Sequence, residues 1–283
     1  PVTIEMIEQS IAEKGWSEGW ITPQVPPVRS GRKVAVIGSG PAGLAAAQQL
    51  NRAGHRVTIF ERDEVVGGLL SLGIPHFKLE KTVVQRRVAQ LEAEGIEFRT
   101  STWVGRDYPT DQLKVDFHAT VLCGGSTVPR DLPVPGRDLD GVHFAMDYLK
   151  QSNRWNEGAE FGPDDTITAD GKTVVILGGG DTGADCLGTS HRQGAVETRQ
   201  YELLPTPPTE RNAETNPWPQ WPMTLRTSSA HEEGGIRDYD ILTKQFNGED
   251  GKLKSLTAVR VDWEPDPNGG HPKMVEGPDS EFT

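Results

Sequence analysis

The sequence has few of the residues that build metal sites or redox-active disulfides. It contains two cysteines, Cys123 and Cys186, and neither belongs to a Cys-x-x-Cys pair. The chain therefore encodes no redox-active dithiol and no cysteine-ligated cluster, and we expect both thiols to be core residues. The His231-Glu232-Glu233 run lacks the second histidine of a zinc protease motif, so we predict no metal site.

Long apolar runs and an excess of positive charge are missing as well. No stretch approaches the roughly 20 apolar residues that cross a bilayer, and the first residues do not read as a signal peptide. The 41 acidic side chains outnumber the 29 basic ones, for a formal net charge of -12. That balance argues against nucleic acid or a membrane as a partner. We expect an acidic protein of the cytoplasm, and 283 residues suffice for two domains.

The sequence does contain one glycine signature twice. The first copy, residues 34–43, reads Val-Ala-Val-Ile-Gly-Ser-Gly-Pro-Ala-Gly, and the second, residues 174–183, reads Val-Val-Ile-Leu-Gly-Gly-Gly-Asp-Thr-Gly. In each copy a short apolar run ends at glycines that open a helix-forming stretch, which predicts two βαβ units. Because one such unit holds one dinucleotide, two of them indicate electron transfer between two dinucleotides.

In the first copy each glycine has a separate role. We expect Gly38 to make the tight turn, Gly40 to let the backbone approach a pyrophosphate, and Gly43 to let the helix pack close to the strand. The helix N-terminus supplies N–H groups and partial positive charge. Glu61 ends the next predicted strand, where a carboxylate can accept hydrogen bonds from a ribose diol.

The second copy has its glycines at the same three positions, but the sequence leaves open whether it binds NADH or NADPH. Glu202 ends the following strand and favours a free ribose 2′-hydroxyl, hence NADH. Arg192, Arg199 and Arg211 are near enough in sequence to supply a guanidinium for the 2′-phosphate of NADPH, although each could be an ordinary surface side chain.

Other elements follow from periodicity and turn residues. Residues 3–14 read as an amphipathic helix that Gly15 ends, and residues 80–94 as a second helix. Residues 241–246 and 253–263 read as an antiparallel hairpin. The Pro-rich stretch 205–222 reads as a loop, in which Trp218 and Trp221 either pack or form a partner-docking ribbon.

Several longer segments resemble a known family. Residues 65–70, Val-Val-Gly-Gly-Leu-Leu, and then 73–78, Gly-Ile-Pro-His-Phe-Lys, are similar to the FAD-binding half of two-dinucleotide flavoprotein reductases. Over essentially the whole chain, the sequence resembles the small (beta) subunit of bacterial glutamate synthase. The segments that carry this resemblance are 1–5, 73–81, 129–137, 178–186, 188–195, 216–222 and 226–234. The related domains of dihydropyrimidine dehydrogenase lack the Trp-Pro segment.

The resemblance implies an α/β fold with two Rossmann-like dinucleotide-binding domains, each a parallel sheet with helices plus a small antiparallel hairpin, the NAD(P)H domain being inserted into the FAD domain. The implied segments are an N-terminal helix and linker (1–30), the first part of the FAD-binding domain (31–150), a connector (151–171), and the NAD(P)H-binding domain with the start of the return to the FAD domain (172–283).

The resemblance also implies the residues that contact each cofactor. FAD contacts fall on Gly38, Ser39, Gly40, Pro41, Ala42, Gly43, Glu61, Arg62, Gly67, Gly68, Leu69, Lys78 and Val104. Contacts to NADPH, with NADH as the alternative, fall on Gly178, Gly179, Gly180, Asp181, Thr182 and Gly183, with Arg211 as the candidate for a 2′-phosphate.

In this family, NADPH reduces FAD, and electrons pass through iron–sulfur clusters to FMN on the large (alpha) subunit, which is the implied partner and which makes glutamate from glutamine and 2-oxoglutarate. Hydride transfer needs stacked rings rather than a protein acid or base, so we name no catalytic residue.

Comparison with the family that it resembles leads us to expect a chain cut at both ends. In relatives a cysteine-rich segment, which carries the iron–sulfur clusters, precedes Pro-Val-Thr-Ile, and a flavin-contacting segment follows residue 283. Residues 123–125, Cys-Gly-Gly, stand where relatives often have Ala-Thr-Gly. Two alternatives remain open: another reductase on the same scaffold, of the ferredoxin or pyrimidine type, and a non-catalytic docking fragment.

Overall fold

The computed structural model describes residues 3–163, 165–267 and 270–283. Pro1 and Val2, which open the predicted N-terminal segment, and residue 164 of the predicted connector lie outside them. The chain divides into two compact units, Pro1–Thr127 and Val128–Thr283. The four-segment division predicted from the sequence remains a prediction.

The first unit is built on a parallel sheet. Its elements in chain order are α1 (Ile4–Ser17), β1 (Lys33–Ile37), α2 (Pro41–Arg52), β2 (Arg56–Phe60), α3 (Leu69–Leu72), α4 (Lys81–Ala93), β3 (Glu97–Arg99), α5 (Thr110–Asp116) and β4 (Ala119–Leu122). The strand order is β3-β2-β1-β4, and every pairing among these four strands is parallel. The glycine signature follows β1, a central strand.

Both faces of this sheet are covered. Val36 and Ile59 pack with Leu44 of α2 and Leu91 of α4 on one face. Ala35 and Phe60 pack with Leu113 of α5 on the other. Burial on both faces explains why β1 and β2 read as continuous apolar runs rather than as alternating ones.

The second unit repeats the parallel arrangement and adds an antiparallel sheet. Its elements are α6 (Ala145–Asn156), β5 (Thr173–Leu177), α7 (Asp181–Arg192), β6 (Glu197–Tyr201), α8 (Ser229–Glu232), β7 (Ile236–Asp238), β8 (Ile241–Glu249), β9 (Lys252–Glu264) and β10 (Lys273–Glu276). The parallel order is β5-β6-β7 and the antiparallel order is β10-β9-β8. The α/β class with two Rossmann-like parallel sheets is confirmed, as is the predicted hairpin, now β8 and β9.

Two local predictions were wrong. Helix α1 does not end at Gly15 but continues to Ser17. The first residues of the stretch around 151–171, predicted as a polar linker, are helical, because α6 continues to Asn156 and buries Asn153.

Candidate functional site

The first glycine loop has the geometry that its three glycines predict. Gly38 has φ = 103°, a conformation that favours glycine. A Cβ on Gly43 would lie 1.9 Å from the Gly38 carbonyl oxygen, so the loop and helix α2 meet too closely for any side chain. A Cβ on Gly40, by contrast, would have no heavy atom of the described residues within 4 Å. Open space therefore lies over Gly40, where a pyrophosphate would approach.

Helix α2 begins at this open space. Gly40 is its N-cap and Pro41 its first residue, and Ala42 and Gly43 follow in the first turn. The N–H groups of a first turn lie outside the hydrogen-bond ladder of the helix, and they carry partial positive charge. Proline lacks an N–H and so leaves no donor unsatisfied at this position. The amides of Ala42 and Gly43 are thus placed to bind an anion.

A buried carboxylate closes the other side of the loop. Glu61 follows the last residue of β2, and its Oε2 accepts hydrogen bonds from the Ser39 amide (3.0 Å) and the Ser39 hydroxyl (2.5 Å). Its Oε1 accepts one from the Asp63 amide (2.9 Å). These donors fix the carboxylate at the carboxyl end of β2, the position predicted for a ribose contact.

The Gly67-Gly68 segment lies against the same loop. The Gly67 amide donates to the Ser39 hydroxyl (3.0 Å), which therefore links this segment to Glu61. A Cβ on Gly68 would lie 3.0 Å from the Gly40 Cα. A side chain at Gly68 would push the two loops apart, whereas one at Gly67 would clash with Ser71 and Val84. The structure thus brings together residues that the sequence separates widely.

The remaining FAD candidates are Leu69, Arg62, Val104 and Lys78. Leu69 begins α3 and is exposed. Arg62 donates to the Thr127 hydroxyl (3.3 Å), and its guanidinium lies 5.4 Å from the Trp103 ring centroid. Val104 follows that ring and packs on the Ala35 cluster. Lys78 is exposed, with its amide donating to a carbonyl of the preceding turn.

The second glycine loop repeats the first. Gly178 has φ = 123°, and a Cβ on Gly183 would lie 2.4 Å from the Gly178 carbonyl oxygen. A Cβ on Gly180 would have no neighbour within 4 Å among the residues described. Asp181 and Thr182 open α7 and are exposed. This loop too combines a close-packed helix with open space at its middle glycine.

Glu202, which follows β6, accepts hydrogen bonds from backbone amides as Glu61 does. Glu202 Oε2 accepts a hydrogen bond from the Gly179 amide (2.6 Å), and Oε1 accepts one from the Leu204 amide (3.0 Å). In both loops, one carboxylate oxygen binds the amide after the first glycine, and the other binds the amide two residues beyond the glutamate.

The arginines near the second loop have partners of their own. Arg192 forms a bidentate ion pair with Glu233 (2.6 and 3.0 Å), and Arg199 lies 2.8 Å from Glu197. Arg211 donates to the Gln220 carbonyl oxygen (2.9 Å) within the Pro-rich loop.

Sequence reasoning missed Gln200. Its amide nitrogen donates to the Gly178 carbonyl oxygen (2.7 Å), and its oxygen lies 2.8 Å from His231 Nε2. Gln200 is buried in β6, but that strand reads Glu-Thr-Arg-Gln-Tyr, so one more polar residue gave no distinct signal in the sequence. Through Gln200, His231 therefore supports the second loop. Within the described ranges, no group of three or more acidic, histidine or cysteine side chains could hold a metal ion.

The tryptophans of the Pro-rich loop do not pack, contrary to the interpretation that placed them inside an ordered loop. Trp218 is 82% exposed and Trp221 is 71% exposed. The Trp221 ring contacts the guanidinium of Arg226, 4.1 Å from its centroid.

Both cysteines were predicted to be buried core residues, and this holds for one of them. Cys186 is buried, whereas Cys123 is half-buried, and both are free thiols. Among the helices within the described ranges, none has the length and apolar character that a bilayer crossing requires.

Curated relatives match most of this chain. The glutamate synthase [NADPH] small chain of Mycobacterium tuberculosis is 54% identical over 264 residues, which cover 92% of this chain and 54% of that protein. The glutamate synthase [NADH] of Schizosaccharomyces pombe is 51% identical over 272 residues, or 93% of this chain and 13% of that protein. The chain spans about half the length of the bacterial small chains it matches.

Solved structures share the fold at low identity. FprA from Mycobacterium tuberculosis in complex with NADPH superposes with a TM-score of 0.66 at 17% identity, covering 89% of this chain and 68% of that one. A 2-naphthoyl-CoA reductase gives a TM-score of 0.56 at 20% identity, covering 89% of this chain and 32% of that one.

The resemblance to the glutamate synthase small chain is thus confirmed at the level of sequence. The family model described as pyridine nucleotide-disulphide oxidoreductase matches residues 32–213, a range that includes both glycine loops. The chain belongs to the pyridine nucleotide-disulphide oxidoreductase family.

Proposed function

We propose that this chain is the dinucleotide-binding part of an NAD(P)H-dependent FAD oxidoreductase that supplies electrons to glutamate synthase. The observation that carries the proposal is the repeated loop: two glycine turns, each open at its middle glycine and each backed by a strand-end glutamate. The bacterial relatives are named as small chains of glutamate synthase. We therefore propose the large (alpha) subunit as partner and the cytoplasm as location.

In the proposed arrangement the first unit binds FAD. The amides of Ala42 and Gly43 bind the pyrophosphate over Gly40, and Glu61 accepts the ribose hydroxyls. Gly67 and Gly68 lie against that loop, and we propose Leu69, Arg62, Lys78 and Val104 as further FAD contacts. Ser39 and Pro41 shape the loop, since Ser39 donates to Glu61 and Pro41 starts the helix.

The second unit binds the nicotinamide dinucleotide. Gly180 leaves room for the pyrophosphate, and the first-turn amides of Asp181, Thr182 and Gly183 face it. Gly178 and Gly179 form the turn before it, and the Gly179 amide holds Glu202. The relatives are named for NADPH and for NADH, and Arg211 is the candidate for a 2′-phosphate if NADPH binds.

The two dinucleotides, when bound, supply hydride-transfer chemistry, and the chain contributes positioning and exclusion of water rather than an acid or base. The iron–sulfur clusters of the electron pathway are proposed to belong to a segment that precedes residue 1.

The test is spectroscopic. The chain is mixed with FAD, freed of unbound flavin and titrated anaerobically with NADPH or NADH. We expect a yellow protein that bleaches. A chain extended by the iron–sulfur segment should then support glutamate formation with the large subunit. Bleaching without glutamate formation would point instead to another reductase on this scaffold.

A second candidate function is a docking module without catalysis. The exposed Trp218 and Trp221 rings favour it, because large exposed aromatic side chains are typical of protein interfaces. A colourless protein that binds neither dinucleotide would support this candidate and would contradict the oxidoreductase.

A further inference from the structure

We propose that Glu202 makes the second glycine loop selective for NADH over NADPH. The inference rests on the proposed function, since it concerns which nicotinamide coenzyme enters that loop. Both coenzymes share every group except the 2′-phosphate on the adenosine ribose, so selectivity depends on the charge that this phosphate meets.

Glu202 lies at the position that contacts the adenosine ribose of a dinucleotide in sheets of this kind. It follows β6 directly, and β6 pairs in parallel with β5, which leads into the glycine turn. The Gly178 amide donates to the Tyr201 carbonyl oxygen (2.8 Å), which ties the start of the turn to the end of β6. In parallel sheets of this kind, an acidic residue at the end of the second strand accepts hydrogen bonds from a free ribose 2′-hydroxyl.

The carboxylate is held in place rather than free to turn away. The Gly179 and Leu204 amides bind its two oxygens, at 2.6 and 3.0 Å. Rotation of the Glu202 side chain away from a phosphate would break both hydrogen bonds and leave the Gly179 amide without this acceptor. The negative charge therefore stays at the ribose position when a coenzyme enters.

The first loop supplies an internal comparison. Glu61 is held by the Ser39 and Asp63 amides at the equivalent positions, at 3.0 and 2.9 Å. Its proposed ligand, FAD, has an adenosine ribose with a free 2′-hydroxyl and no phosphate there. Glu202 accepts the same two backbone hydrogen bonds, without the third that the Ser39 hydroxyl gives Glu61. The second loop therefore presents a similar receptor for the same unphosphorylated ribose.

A 2′-phosphate would bring about 1.5 to 2 further negative charges next to this carboxylate. Binding this phosphate would require nearby cations that are not already paired with carboxylates. Arg192 is neutralised by Glu233, with which it forms two hydrogen bonds. Arg199 is neutralised by Glu197 at 2.8 Å.

The neighbouring strand β7 carries one base, Arg237, which donates to the Tyr239 hydroxyl (2.7 Å), and one acid, Asp238. Asp238 ends β7, which pairs with β6 so that Tyr201 and Asp238 lie side by side. The guanidinium of Arg260 is held by both oxygens of Asp238, at 2.7 and 2.6 Å. Arg211 is bound to the Gln220 carbonyl oxygen rather than to a carboxylate, so it is the one candidate among the three arginines near the loop that could oppose the inference.

The experiment measures binding, not turnover. With the first loop saturated by FAD, the chain is titrated by calorimetry with ADP-ribose and with 2′-phospho-ADP-ribose, and then with NADH and NADPH. We expect the unphosphorylated member of each pair to bind at least about tenfold more tightly. Substitution Glu202→Gln, which removes the charge but keeps an oxygen, should reduce that ratio toward one.

Two controls separate charge at this position from other effects. Glu249→Gln removes one negative charge from an exposed position on β8 and should leave the ratio unchanged. Arg211→Ala, which removes the candidate phosphate contact, should keep the unphosphorylated ligand the tighter one of each pair. Tighter binding of the phosphorylated ligands, with that preference lost in Arg211→Ala, would overturn the inference while leaving the proposed function intact. Binding of none of the four ligands would overturn both.

Discussion

The carbonyl oxygen of Gly38 lies 1.9 Å from the position that a Cβ on Gly43 would occupy. Both groups are fixed, because the oxygen belongs to the backbone of the turn and the Cβ would belong to the first turn of α2. We therefore expect Gly43→Ala to lower the free energy of unfolding by at least about 1–3 kcal/mol, the usual cost of overpacking. Urea denaturation of the two proteins measures this difference, and equal midpoints would contradict the close packing of turn and helix.

Gly40→Ala should leave stability nearly unchanged but weaken FAD binding. A methyl group there meets open space among the described residues, and the backbone of Gly40 (φ = -63°, ψ = 179°) is accessible to alanine. Stability should remain within about 0.5 kcal/mol of the original. FAD affinity should fall at least about tenfold, because the methyl group occupies the space over which the pyrophosphate would lie. Equilibrium dialysis measures the affinity. Unchanged affinity would remove Gly40 from the proposed contact set.

A buried ion pair gives a prediction about acid stability. The Glu94 side chain is fully buried, and Arg52 donates two hydrogen bonds to it, at 2.7 and 3.1 Å. Burial on its own raises the pKa of the Glu94 carboxyl, but the bonds from Arg52, a backbone amide and Gln48 hold that pKa below its ordinary value of 4.5. Since the folded pKa is the lower one, the stabilisation is complete above about pH 4.5 and is lost as the pH falls through the folded pKa.

We therefore expect Glu94→Gln to cost about 2–3 kcal/mol of unfolding free energy at pH 7. The difference from the original protein should shrink as the pH approaches 3. Urea titrations at several pH values measure it. Glu92→Gln is the matched control, since Glu92 is exposed on the same helix and should change stability by less than about 0.5 kcal/mol. A cost that stays constant with pH would show that the ionised pair is not its source.

The second cysteine should be chemically inert in the folded chain. Burial, with a smaller contribution from the Asp185 charge, raises the pKa of the Cys186 thiol to about 12. Because the thiolate is the reactive form, iodoacetamide at pH 8 should leave Cys186 unmodified in the native protein and should modify it after unfolding in urea. Peptide mass spectrometry reports both states. Rapid modification in the native state would mean that α7 opens readily.

The βαβ units were predictable because their signals are local. A short β-branched run, a glycine turn and Pro41 at the first helical position together specify β1 and α2 without reference to the rest of the chain. The positions of Glu61 and Glu202 followed from the lengths of the same units.

Elements that depend on tertiary contacts were missed. Helix α6 has only Tyr148 and Leu149 as large buried apolar residues, and its second half, from Gln151, reads as a polar linker. Gly15 reads as a helix end, yet α1 continues past it. A Cβ there would lie 3.2 Å from the Ile21 side chain, so the glycine admits the returning chain rather than ending the helix.

At the site, too, features encoded by neighbouring residues were predictable and contacts between distant residues were not. Spacing identified the glycines, but it could not show that the Ser39 hydroxyl joins Glu61 to Gly67 or that Gln200 supports Gly178. Those contacts join residues that are distant in sequence, and no local pattern encodes them.

The matched pair of glutamates has a consequence for small adenine nucleotides. If both loops accept the diphosphate and unmodified ribose of ADP, a single flavin-free chain offers that molecule two receptors. ADP should then saturate at two equivalents per chain, and FAD should displace only one of them.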